Sequence, residues 1–135
     1  MRYNIEKVEG IAKITGDKLR GCGINRTDQL LERCASKKGR KEVAAASGIE
    51  EKLILKWTNF CDLMRVKGIG EQYSELLEAA GVDTVKELRN RKPENLHAAM
   101  LEANTKKKMV RQAPGLKQVQ GWVAHAKELD PMMTY

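Results

Sequence analysis

The sequence predicts an all-α protein made of two copies of one helix-and-turn unit, and three observations predict it. No stretch alternates polar and apolar residues as a strand would, while Ile49 to Met64 and Glu71 to Ala80 carry apolar residues at helical spacing. Between them lies Lys67-Gly68-Ile69-Gly70, which cannot be helix interior, because each glycine there costs about 1 kcal/mol relative to alanine. The third observation is an internal repeat. At an offset of 58, Val8 falls on Val66, Gly10 on Gly68, Ile11 on Ile69, Leu19 on Leu77, Gly23 on Gly81, Ile24 on Val82 and Leu30 on Leu88.

The elements follow in chain order. Asn4 caps a short first helix through Val8, and Glu9-Gly10-Ile11-Ala12 is the first turn. A helix from about Thr15 to Cys22 ends at Gly23, and the next starts near Thr27. Ser36 to Arg40 reads as a basic loop with a glycine in it, followed by a short helix over Lys41 to Ala46. Glu50 to Met64 is a long helix that closes the first copy and opens the second. Gly81 suits the left-handed position that ends the helix after the second turn. Asp83 or Thr84 caps a helix to about Asn90, and Pro93 opens the next, where its missing N–H costs least. Pro114-Gly115 breaks the chain before a last helix over Leu116 to Leu129. Roughly eight to ten helices result, as a first copy over 1–64 and a second over 65–135 with helix 50–64 shared. The shared helix argues against two independent cores.

Composition narrows the function classes. Aromatic residues are only 4% of the chain, so the core must be aliphatic, with Trp57 and Trp122 as its large anchors. Twenty-five Lys and Arg against 18 Asp and Glu give a net charge of +7, which favours an anionic partner. Cys22, Cys34 and Cys61 form no Cys-x-x-Cys pair, so neither a disulfide framework nor a zinc site is indicated, and no cofactor or metal is expected. His97 and His125 stand alone, and Asp62, Glu75 and Glu78 lack the spacing of paired catalytic carboxylates. An enzyme is not expected. No apolar run reaches membrane-helix length. The N-terminus lacks the apolar core of a signal peptide, so the expected location is the cytoplasm.

The turns carry the remaining chemistry. A tight turn between helices presents backbone N–H groups at the start of the second helix, where the helix dipole also favours an anion. Glycine lets the backbone approach a phosphate, and a nearby lysine adds a salt-dependent attraction. Gly10 with Lys13 has the lysine but carries Ala12 in place of a second glycine. Gly48-Ile49-Glu50-Glu51 is acidic and reads as structural. Lys67, Gly68 and Gly70 form the best turn, compromised by Glu71. Gly115 with Lys117 follows Lys106, Lys107, Lys108 and Arg111. On charge, the first and fourth turns are the better phosphate binders. The plain alternatives are turns that only let helices pack and lysine runs that are solvated helix faces.

The pattern Val66-Lys67-Gly68-Ile69-Gly70, with Ser74 one turn later and Leu76-Leu77 beyond, resembles the helix-hairpin-helix motif. From Tyr3 to Tyr135 the chain also resembles a family of small bacterial proteins of unknown function that carry two such units. That family has Gly-Ile-Gly in both turns and a threonine capping the helix after each. This sequence departs at Ala12, and at Arg26 where the first threonine is expected. The resemblance implies duplicated tandem helix-hairpin-helix units, which the shared helix is expected to pack as one compact or slightly elongated body. It also implies sequence-independent nucleic-acid binding, duplex DNA first and RNA or the ribosome second. The alternative is a protein-interaction module that has kept the fold without nucleic-acid binding. No membrane partner is expected.

Overall fold

The computed structural model describes residues 3–135, and they are all-helical. Eight α-helices run in order: α1 Lys13–Arg20, α2 Thr27–Cys34, α3 Lys37–Ser47, α4 Glu51–Leu63, α5 Glu71–Ala79, α6 Val85–Leu88, α7 Pro93–Lys107 and α8 Leu116–Glu128. A 3-10 turn over Ile5–Lys7 precedes them, its Asn4 side chain accepting from the Glu6 N–H. Among the described residues the extended pairing is one isolated bridge, Asn4 with Arg26.

The chain divides into two compact units, Met1–Asp62 with Met132–Tyr135, and Leu63–Pro131. The last four residues, in sequence the end of the second segment, thus belong with the first unit. Each unit has its own cluster of buried residues, one around Leu19, Leu30, Trp57 and Phe60, the other around Leu77, Leu88, Met100 and Trp122. The shared helix does not merge the two. Its residues Ile54 to Cys61 serve the first cluster and Leu63 the second. Every apolar pair aligned at the offset of 58 is buried, from Val8 and Val66 to Leu30 and Leu88.

The backbone follows the same correspondence. Ile11 and Ile69 each donate to the carbonyl three residues back, on Val8 and Val66, at 3.1 Å. Gly10 and Gly68 have φ of 96° and 93°, a region L-residues rarely adopt. A Cβ on Gly10 would lie 2.9 Å from Trp57 Nε1, and one on Gly68 3.0 Å from Trp122 Nε1. Each turn is therefore seated on a tryptophan edge, and glycine is required twice over. The second glycine of the motif is different. Gly70 is an extended N-cap (φ −106°, ψ −162°), and Ala12 takes nearly the same angles (φ −98°, ψ −173°). The fold accepts alanine there.

Two local expectations are corrected. The helix expected over Thr15 to Cys22 is α1, which starts at Lys13, directly after its N-cap Ala12. Ser36 to Arg40 is no loop, since the Ser36 hydroxyl accepts from the Gly39 N–H and starts α3 at Lys37. Gly39 is there for closeness, as a Cβ would run into the Arg33 carbonyl. The missing cap threonine at Arg26 is as the sequence has it, and another residue does its work. Arg26 has no acceptor to offer, and the Gln29 side chain instead reaches back to accept from the N–H groups of Asn25 and Arg26 at 2.8 and 3.1 Å. In the second unit Thr84 caps α6 by accepting from the Glu87 N–H.

Candidate nucleic-acid interface

In the second unit the turn after α4 is fixed from below. Val66 and Ile69 are buried, so Lys67 and Gly68 between them are left exposed. The Lys67 N–H donates to His125 Nδ1 at 3.1 Å, tying the turn to α8. Tyr73, in the first turn of α5, lies 5.1 Å from Trp122 between ring centroids, and its hydroxyl reaches the Gln112 carbonyl at 3.4 Å. Neither Gly70, before α5, nor Gly115, before α8, offers a side-chain cap, which leaves both helix starts to backbone N–H groups.

Helix α8 buries Val119, Trp122, Val123 and Ala126. Its other face carries Lys117, Gln118, Gly121, His125 and Glu128, which with Lys67, Gly68 and the edge of Trp122 line a groove of ≈ 560 Å³. The start of α8 is held by Pro114, buried, whose carbonyl accepts from His97 Nε2 at 3.0 Å. Both histidines are half-buried and both shape this region.

Of the residues singled out in sequence, the structure brings Lys67, Gly68 and Lys117 into one groove. Gly70 and Gly115 sit at the starts of α5 and α8. Arg111 is exposed beside Gln112, the residue that meets Tyr73. The lysine tract is elsewhere. Lys106 pairs with Glu102 at 3.0 Å, and Lys106 and Lys107 line a separate groove of ≈ 260 Å³ with Ala79 and Ala80. That is the C-terminal end of α5, where the helix dipole itself attracts a cation. Lys108 is the left-handed cap of α7 (φ 49°).

Gly10 and Lys13 lie in the first unit, where the charge is less favourable than the sequence reading has it. Lys13 is exposed but paired with Asp17 at 3.2 Å, Glu9 precedes Gly10, and Ile14 beside Lys13 is 76% exposed. Arg20 bridges Asp17 and Glu6, both at 2.8 Å, and these hydrogen bonds hold the Asp17 carboxyl below its ordinary range and raise the Arg20 guanidinium. In the basic run Lys37 to Lys41, Arg40 is buried at 3% exposure and donates to the carbonyls of Cys34, Ala35 and Thr134. It is a structural anchor, not surface charge.

His125, Gln118 and Gly121 escaped the sequence reading as site residues. The available signal was their spacing with Lys117, at positions 117, 118, 121, 125 and 128, one face of a helix. Among the described residues no group of three or more His, Cys, Asp or Glu is placed to hold a metal. No helix among them is long and apolar enough to cross a membrane.

A family model described as a domain of unknown function (DUF4332) matches residues 9–129. No curated protein and no solved structure matches the chain.

Proposed function

The chain belongs to the DUF4332 family, and we propose that it is a non-enzymatic protein that binds nucleic acid by its phosphates, largely without reading sequence. In this reading the two glycine turns are helix-hairpin-helix units. Duplex DNA is the first ligand, structured RNA or the ribosome the second, and the cytoplasm the place of action. One observation carries it. The turn with Lys67 and Gly68 shares a groove with Lys117, so turn backbone and two cations face one space in a chain of net charge +7.

A salt titration of duplex DNA binding tests the reading. Counterion release predicts affinity that falls steeply with salt, and a shallower slope after Lys67→Glu or Lys117→Glu. Absence of binding at low salt sinks it. A second reading, a protein-interaction module, is favoured by Ile14, whose 76% exposure in the first turn of α1 suits an apolar partner better than a phosphate.

A further inference from the structure

We propose that the groove between the Lys67-Gly68 turn and α8 seats a single phosphate group, that His125 is one of its donors, and that only the second unit carries such a seat. This deepens the nucleic-acid reading and rests on it for the source of the phosphate, a phosphodiester of a bound strand.

The imidazole comes first. His125 Nδ1 accepts from the Lys67 N–H, so the neutral ring carries its proton on Nε2. The ring lines the groove together with Lys67 and Lys117, and Glu128 is the one carboxylate among the lining residues. A held N–H donor and two ammonium groups against one carboxylate make a setting for an anion.

Gly121 is the second observation. It lies in the middle of α8, where glycine weakens a helix, yet a Cβ on it would meet nothing within 4 Å. Neither packing nor backbone geometry requires it. What its missing side chain does is keep the groove open one turn below His125.

The first unit supplies the contrast on the same scaffold. Lys56 precedes Trp57 where Gly121 precedes Trp122, and Phe60 follows three later where His125 does. Lys56 Nζ lies 5.9 Å from the centre of the Phe60 ring, and Glu9 stands before the turn glycine where the second unit has Lys67. The corresponding positions thus hold a long side chain, a ring with no polar atom and a carboxylate.

The test is NMR on the full-length protein labelled with ¹⁵N, titrated separately with inorganic phosphate and with a short DNA duplex. Both are expected to move the His125 ring nitrogens and the Lys67 amide. Gly121→Leu fills the groove without adding charge, and its Cβ meets nothing within 4 Å. It should abolish the phosphate response while amides outside α8 keep their positions, and weaken duplex binding roughly tenfold, the worth of a hydrogen bond to a charged group. His125→Phe, the first unit's residue, should act alike. The proposal is overturned if phosphate and duplex leave His125 unmoved, or if Gly121→Leu leaves both responses intact. If duplex binds and the two variants are silent, the nucleic-acid reading stands and this one falls. If phosphate moves His125 and no duplex binds, the seat stands and the nucleic-acid reading falls.

Discussion

The main-chain N–H of Lys67 donates to Nδ1 of His125, 58 positions further along, across 3.1 Å. Together with Gly68 resting on the Trp122 edge, this bond makes α8 the platform on which the turn after α4 is built. A turn held this way keeps its backbone in place before any ligand arrives, and that preorganisation is what a phosphate site needs.

The two glycines of this turn should respond oppositely to alanine. Gly68 has φ of 93° and no room before Trp122 Nε1, whereas Gly70 is extended with open space around it. Gly68→Ala is expected to cost about 1–3 kcal/mol. Gly70→Ala should be neutral to within about 0.5 kcal/mol, since Ala12 already occupies the matching conformation. Denaturant melts of the two variants check this, and equal losses would contradict it.

Lysines in the groove should matter more than lysines in the tract. Lys67 and Lys117 share the groove, while Lys106 is paired with Glu102 and lies with Lys107 against the C-terminal end of α5. Lys67→Glu with Lys117→Glu is therefore expected to lower duplex affinity about tenfold or more at low salt. The pair Lys106→Glu with Lys107→Glu should lower it by less. Fluorescence anisotropy with a labelled duplex measures both, and the reverse ranking would move the interface to α7.

What the sequence made legible is uneven, for physical reasons. The turns were readable because positive φ and a close tryptophan leave only glycine at Gly10 and Gly68. The cores were readable because Val8, Ile11, Leu19 and their counterparts recur at a fixed offset. Gly39 misled because a glycine in a basic run looks like a loop, when it is a close approach of α3 to the Arg33 carbonyl. Distance along the chain misled for Lys106 and Lys107, since α7 carries them past α5 instead of toward the turn. His125 looked solitary because its partner is a main-chain N–H, which has no sequence signature.

The buried Arg40 should prove critical to the first unit. Its guanidinium holds the carbonyls of Cys34 and Ala35 at 3.0 Å and Thr134 at 2.8 Å, and lies 5.5 Å from the centre of the Tyr135 ring. Arg40→Met takes the guanidinium donor from the Cys34 and Thr134 carbonyls, while Ala35 keeps the Thr134 N–H at 2.8 Å, and should cost about 2–4 kcal/mol. Arg40→Lys should recover little, because an ammonium cannot reproduce the planar fork. Removing Met132–Tyr135 takes away one of the three acceptors, the ring, the Thr134 N–H that bonds Ala35 and the packing of Met132 and Met133, so a loss of similar size is expected. Thermal melts compare the losses, and amide exchange should show the damage around α2 and α3 first.

The cysteines set an alkaline limit. Burial raises the Cys34 thiol from 9.0 to about 11, outweighing a hydrogen bond with Thr58 that acts the other way, and burial pushes Cys61 up as well. Below pH 9 folded and unfolded chains both keep these protons, so the stabilisation from burying neutral thiols is complete. Between pH 9 and about 11 the unfolded chain releases the Cys34 proton while the folded one retains it. The unfolded state then binds fewer protons, and stability must fall as pH rises. Urea melts at pH 8, 9.5 and 10.5 should show this decline, and Cys34→Ala should make it shallower even though the variant starts less stable. An unchanged slope would assign the alkaline loss to other groups. The same burial predicts that at pH 8 an alkylating reagent labels Cys22, which is half-buried, while Cys34 and Cys61 react only after unfolding.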